Sequence, residues 1–260
     1  MRASCSDRAL TLQIGDGIAW LTFEQPQTLN ALTPAMAGEF LDACRQLRER
    51  DDVRVLVMRG SGKAFMAGGD LQALRRDPAA TVEAIIPPMH EAVLLLKSLP
   101  LIVLARLHGA VAGAGLSLAC MADLAIAEAD TRFVYAYADI ATTCDLGLSW
   151  HLVRRLGLNR AMEVALLSKG FDAGKALEWG LINRVEASAN LDASVEDWAV
   201  RLAARPSHVI SATKQLLQQA QTANLAEQLD LEHQLFSECA SRPAFSQAIG
   251  SFFARGKATI

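Results

Sequence analysis

Neither charge dominates this chain. Its 260 residues carry 25 Lys and Arg against 28 Asp and Glu, a formal net charge of −3, so it offers no broad electrostatic attraction to nucleic acid or an anionic membrane. The five cysteines, at positions 5, 44, 120, 144 and 239, are odd in number and form no C-x-x-C pair. That pattern excludes zinc-ribbon and dithiol chemistry and reads as reduced thiols in a cytoplasmic protein. The five histidines, at 90, 108, 151, 208 and 233, contain no close pair at metal-ligand spacing. The N-terminal Met1-Arg-Ala-Ser-Cys-Ser-Asp-Arg8 lacks the continuous apolar stretch of an export signal, so export is not expected. Long apolar runs are missing elsewhere too. The most apolar segment, Leu99 to Ala127, is broken by Arg106, His108, Asp123 and three glycines, which suits a buried strand, turn and helix and not a membrane span.

What is present is a 52% hydrophobic, 20% charged composition, that of a globular chain able to bury a large core. Apolar-rich runs at Ala9 to Ile14 and Ile18 to Phe23 flank Gly15-Asp-Gly17 and predict an opening hairpin. Thr33 offers an N-cap with Pro34 at the first helical position, and helical periodicity continues to Arg50. Val53 to Met58 and Leu101 to Leu107 are short continuous apolar runs of the kind buried on both faces of a parallel sheet, and Asp123 to Ala127 resembles a further short strand. Between the first two lies a helical stretch with Pro87-Pro88 as the candidate break. Beyond residue 145 the pattern turns helical, at Leu146 to Leu156, Asn159 to Leu167, Ala173 to Trp179, Leu191 to Ala204, Pro206 to Ala220, Leu225 to Ala240 and Ala244 to Ala254. The expected class is α/β, a core over residues 1–195 and a C-terminal helical region over 196–260 that packs on the core or on a neighbouring subunit.

Two glycine-rich segments stand out, Lys63-Ala-Phe-Met-Ala-Gly-Gly-Asp-Leu71 and His108-Gly-Ala-Val-Ala-Gly-Ala-Gly-Leu-Ser117. Each follows a strand-like run and opens a helix-like one. The first backbone N–H groups of a helix have no partner within it, and two such groups aimed at one spot stabilise a developing oxyanion. Other motifs fail. Gly60-Ser-Gly-Lys63 resembles a phosphate loop, but Val57 stands where its first glycine belongs and Ala64 where Ser or Thr would reach magnesium. Gly113-Ala-Gly115 lacks the third glycine of the dinucleotide fingerprint, because position 118 is leucine. Gly115-Leu-Ser-Leu-Ala119 ends in alanine where a nucleophile elbow requires glycine, and no serine, histidine and acid set is evident for a peptidase.

In order and spacing, the two segments resemble those of the crotonase superfamily, also called the enoyl-CoA hydratase/isomerase family. The resemblance runs along nearly the whole chain, through Trp20-Leu-Thr-Phe23, Pro26…Asn30-Ala-Leu32, Val55-Leu-Val-Met-Arg-Gly60, Met121-Ala-Asp-Leu-Ala-Ile-Ala127, Asp145-Leu-Gly147, Arg155-Leu-Gly157 and Ala176…Gly180-Leu-Ile-Asn183. It implies a spiral of ββα turns followed by C-terminal helices, assembled as a homotrimer or a dimer of trimers. The implied substrate is an acyl-CoA thioester, coenzyme A entering as part of that substrate and no separate cofactor being required. The resemblance further implies that the backbone amides of Gly69 and Ala114 form an oxyanion hole. Ala67 lies beside the CoA adenine, its carbonyl accepting from the amino group, and Gly68, Asp70, Leu71 and Gly113 complete the substrate segments. Lys63 and the tail Arg255-Gly-Lys257 are the implied partners of the CoA phosphates.

The proton carriers depart from the family pattern. Its hydratases use two glutamates, and the matching positions here hold Ser117 and Tyr137, so two-glutamate hydration is not expected. Ser117 either holds a water or satisfies itself against nearby backbone, and Tyr137 either donates near the site or packs as an aromatic. Asp145 is then the first candidate, as a base moving a proton between Cα and Cγ or as a dehalogenase-like nucleophile, with helix capping as its alternative. Asp139 is a weaker candidate, Asp70 and Asp123 are expected to be mainly structural, and His90 stands where a dehalogenase-like base would. One movable proton acceptor suits enoyl-CoA isomerisation better than hydration. Isomerase-type proton transfer is therefore the leading reading. Hydration by another mechanism, aryl-CoA dehalogenase or thioesterase-like chemistry, and CoA binding without turnover are its alternatives.

Overall fold

In the computed structural model, which describes residues 8–256 and side chains through residue 254, strands β1 (Leu10–Gly15) and β2 (Ile18–Phe23) form the expected hairpin. Cys5 and Lys257 lie outside the described residues. Asp16 and Gly17 at the turn have φ of 52° and 77°, the left-handed pair whose twist matches a two-residue hairpin. Helix α1 (Pro34–Arg48) starts as its sequence predicts, the Thr33 hydroxyl accepting from the Met36 amide at 3.2 Å. Strand β3 (Val55–Gly60) follows, then α2 (Leu71–Arg76) and α3 (Pro78–Ser98).

Helix α3 runs unbroken through Pro87 and Pro88, contrary to the break its sequence suggests. The prolines remove the donors due to the carbonyls of Glu83 and Ala84, but both residues are exposed and water can serve those oxygens. Packing supplies the rest, because Thr81, Ile85, Met89, Ala92, Val93 and Leu96 bury one face of α3, which packs on α1. By length and composition α3 is also the one helix among the described residues that is apolar enough to cross a membrane. Here its buried face is already occupied.

The remaining elements of the first unit are β4 (Ile102–Leu107), β5 (Ala110–Ala112), α4 (Ala114–Met121), β6 (Leu124–Glu128), β7 (Arg132–Val134), α5 (Leu148–Leu156), α6 (Leu158–Leu166), β8 (Phe171–Asp172), α7 (Ala173–Glu178), β9 (Arg184–Glu186) and α8 (Ser188–Ala203). They build a six-stranded sheet in the order β1-β2-β3-β4-β6-β9, parallel from β2 onward, and a second sheet in the order β5-β7-β8. Each repeat gives one strand to each sheet, β4 then β5 and β6 then β7, so the chain spirals between them. Isolated bridges, Met66 with Val111 and Leu32 with Gly69, continue the short sheet into the earlier repeats. The short sheet escapes sequence reading because its strands have only two or three residues, too few to show a period.

Val55 and Val57 of β3 join a cluster with Leu104, Ile126 and, from α8, Leu191 and Val195, while Leu56 and Met58 join the larger core. Strand β3 is thus buried on both faces, as its continuous apolar run predicts. Three polar residues of the family-like pattern hold loops in place. The Asn30 amide nitrogen lies 2.9, 2.8 and 3.3 Å from the carbonyls of Ser61, Ala64 and Phe65, and its oxygen accepts from the Gln25 amide at 2.9 Å. Arg155 donates to the carbonyls of Ala122 and Leu181 at 2.6 and 3.1 Å, and the Asn183 side chain accepts from the Ala125 amide at 2.9 Å.

The chain divides into two compact units after Ala203, so α8 runs across the 195/196 division expected from sequence and lies wholly in the first. The second unit consists of α9 (Ser207–Gln219), α10 (Leu225–Ala240) and α11 (Pro243–Gly256), with a reciprocal Asn224 and Glu227 capping box opening α10.

Candidate active site

The two glycine-rich segments pack backbone to backbone. A Cβ on Gly115 would lie 2.2 Å from the Met66 carbonyl oxygen, and one on Gly109 only 1.9 Å from that of Lys63. Neither position has room for a side chain. Gly113 adopts φ 50° and ψ −119°, a conformation that other residues avoid, and its missing Cβ lets the chain pass beside Gly68.

This arrangement frees two amides. In the bridge to Leu32, the Leu32 amide donates to the Gly68 carbonyl at 2.8 Å and the Leu32 carbonyl accepts from the Asp70 amide at 3.0 Å, so the Gly69 N–H points away from that pairing. Ala114 is the first residue of α4, and its N–H precedes every acceptor inside the helix. Both amides therefore stand at the junction of the two turns, available to an oxygen that gains charge.

Around them, Ala67 is half-buried and its amide donates to Leu29 at 3.0 Å. Lys63 and Leu71 have exposed side chains. Asp70 caps α2, its carboxylate accepting from the amides of Gln72 and Ala73 at 2.9 and 3.0 Å. Asp123 accepts from the Val103 amide at 2.9 Å and pairs with Lys97 at 3.3 Å. Both carboxylates thus make the structural contacts expected of them.

A chain of side chains leads from the second turn to Asp145. The Ser117 hydroxyl, fully buried, lies 3.3 Å from the Gly113 carbonyl and 2.9 Å from the Tyr137 hydroxyl, which donates to the Asp145 carboxylate at 2.5 Å. Asp145 is not a helix cap. Gly147 occupies the N-cap of α5 and no side chain caps that end, so the capping alternative falls. Leu146 and Gly147 instead take consecutive left-handed conformations, φ 50° and 75°. His90 on α3 holds that turn, its Nε2 accepting from the Leu146 amide at 3.2 Å.

Burial raises the Asp145 carboxyl above its ordinary pKa, opposed by the Tyr137 hydrogen bond. Burial, and then the Asp145 charge, push Tyr137 far up, so its proton stays on oxygen. The structure therefore brings Ser117, Tyr137, Asp145 and His90 into one connected group, while Asp139 lies exposed on a short turn outside it. The Tyr137 to Asp145 bond was hidden in the sequence. It joins irregular segments, where no period relates one residue to another.

A spiral α/β scaffold that lays two glycine-rich turns backbone to backbone, the second opening a buried helix, defines the crotonase class of fold. Comparison with known proteins agrees. The family model for enoyl-CoA hydratase/isomerase matches residues 13–259. The 1,2-epoxyphenylacetyl-CoA isomerase of Escherichia coli K12 is 32% identical over 247 residues, covering 92% of this chain and 93% of its own length. The 4-chlorobenzoyl coenzyme A dehalogenase-2 of an Arthrobacter species is 29% identical over 254 residues, covering 96% and 92%. A Thermobifida fusca YX chain assigned to the enoyl-CoA hydratases and solved in complex with CoA superposes with a TM-score of 0.84 at 30% identity, covering 92% of this chain and 96% of that one. The chain belongs to the enoyl-CoA hydratase/isomerase family.

Proposed function

We propose that the protein is an acyl-CoA-processing enzyme that stabilises a thioester enolate and moves a proton along the acyl group, in isomerase-type chemistry. The amides of Gly69 and Ala114 hold the thioester oxygen as it gains charge, each such donor being worth about 3–4 kcal/mol of barrier. Asp145 removes the proton at Cα and returns it at Cγ, so a single carboxylate closes the cycle without consuming water. The observation that carries this reading is the Asp145 carboxylate itself, half-buried, bound by Tyr137 and spared from capping. Its raised pKa suits both halves of the task, because the protonated form is a weaker acid nearer working pH.

Lys63, Ala67, Gly68, Leu71 and Gly113, with Lys257 from the tail, serve the CoA portion. The CoA complex of the T. fusca relative and the acyl-CoA name of the E. coli isomerase support that substrate class. The free thiols of Cys44, Cys120, Cys144 and Cys239 suit a reducing cytoplasm, and no resident cofactor enters the chemistry proposed. A homotrimer or dimer of trimers completes the reading.

A second reading is favoured by one observation. His90 binds the amide of Leu146, the residue next to Asp145, so attack by Asp145 on a halogenated aryl-CoA ring, with His90 preparing water for the ester formed, is the competing chemistry.

The deciding experiment assays unsaturated and halogenated acyl-CoA panels with the wild type and with Asp145→Asn. Double-bond migration by the wild type, with turnover falling roughly 10²–10⁴-fold in the variant, is expected. Halide release would select the second reading. An Asp145→Asn enzyme with unchanged turnover removes Asp145 from either mechanism, and tight CoA-thioester binding without turnover would mark a binding protein.

A further inference from the structure

One buried histidine lies outside the chemistry proposed above and yet grips a turn that it uses. His108 opens the loop after β4 and is 8% exposed. Its Nε2 lies 3.1 Å from the Gly62 carbonyl oxygen, and its Nδ1 lies 2.8 Å from a terminal nitrogen of Arg106, whose Nε pairs with Asp192 of α8 at 2.5 Å. A carbonyl only accepts and a guanidinium only donates, so the ring must be neutral with its proton on Nε2. Burial first, then the Arg106 charge, hold its pKa below the ordinary histidine value against the Gly62 carbonyl, Glu128 and Asp192, in accord with that form.

The division of labour along the first glycine-rich segment gives this contact a specific consequence. Asn30 takes the carbonyls of Ser61, Ala64 and Phe65, and the bridge to Leu32 fixes the backbone on both sides of Gly69. The Gly62 carbonyl is left to His108, and the Lys63 carbonyl abuts Gly109, the next residue along. His108 and Gly109 together therefore hold the tip that carries Lys63, while the oxyanion amide six residues further on has its own anchors.

We propose that His108 is a positioning residue that fixes the Gly62-Lys63 tip and through it the affinity for the phosphate-bearing CoA portion of the substrate. The inference rests on the acyl-CoA reading above. It separates binding from chemistry, because loosening the tip moves Lys63 and leaves Gly69 and Ala114 in place.

The test measures kcat and KM with an accepted acyl-CoA, and the Kd of free CoA by calorimetry, for the wild type, His108→Ala, Lys63→Ala and the double variant. His108→Ala is expected to raise KM and Kd about fivefold, the loss of one ordinary hydrogen bond, with kcat within about twofold. The double variant is expected to bind no more weakly than Lys63→Ala, since His108 acts through that residue. His108→Gln, whose amide can both donate and accept, is expected to recover most of the affinity. A fall in kcat in step with affinity, or additive losses in the double variant, overturns the assignment. Should His108→Ala not fold, Lys63→Ala still decides, because its exposed side chain can be removed without harm to the core and an unchanged Kd refutes the role of the tip. Absence of turnover and of CoA binding in the wild type would instead refute the acyl-CoA reading itself.

Discussion

Tyr137 acts on the protonation of Asp145 without giving up its own proton. Its hydroxyl donates to Asp145 at 2.5 Å and so favours the ionised carboxylate, while burial disfavours it and prevails. Removing that donor leaves burial less opposed. Tyr137→Phe should therefore raise the Asp145 pKa further, and the acid limb of kcat/KM against pH should move to higher pH relative to the wild type. A limb that stays in place, or moves to lower pH, would show that Asp145 is not the group titrating in that profile. Ser117 should matter less. It retains the Gly113 carbonyl within 3.3 Å when the tyrosine hydroxyl is gone, so it keeps one partner of its own.

At the level of elements, α3 shows packing overriding a local rule. Pro87 is exposed in the helix interior and lacks an N–H for the Glu83 carbonyl, a combination that costs about 3 kcal/mol relative to alanine. Pro87→Ala restores the donor but also loosens the unfolded chain, which gives back up to about 1 kcal/mol. The expected result is a net gain in stability, read as a higher midpoint in urea with an unchanged slope; a lower midpoint would show that the helix needs proline at this position. The same contrast governs what could be read from sequence. Hairpin, cap, buried strands and glycine turns were legible because each rests on residues adjacent in the chain or on a short period. The group of Ser117, Tyr137, Asp145 and His90 was legible only as separate candidates, since α3, α4 and two irregular stretches meet there through tertiary packing. Asp145 as cap or acid was undecidable for the same reason. What removes the cap is the left-handed Leu146-Gly147 turn, which leucine at 146 gives no sign of.

At the scale of the whole molecule, the second compact unit leaves large apolar side chains uncovered among the described residues. The helices α9 to α11 bury Ile210, Lys214 and Leu235, yet they leave Leu217, Leu225, Phe236, Phe252 and Phe253 between 64% and 74% exposed. Leaving apolar area in water costs roughly 25 cal/mol per Å², and on that ground we expect another surface to cover these side chains. A second copy is the simplest occupant, because identical chains supply the same apolar residues to one another and closed symmetry leaves none unpaired. Sedimentation at micromolar concentration is accordingly expected to give three or six times the 28.0 kDa of the chain. Phe252→Glu combined with Phe253→Glu should shift that distribution toward smaller species while leaving α1 to α8 folded, since both residues belong to the second compact unit. A wild type that sediments as a single chain would contradict the assembly and leave the exposed phenylalanines to a partner of another kind. Assembly also bears on substrate binding. Lys257 follows α11 directly, so if its partner is the CoA of a neighbouring chain, the dissociated variant should show a raised KM at low enzyme concentration and recover as concentration rises.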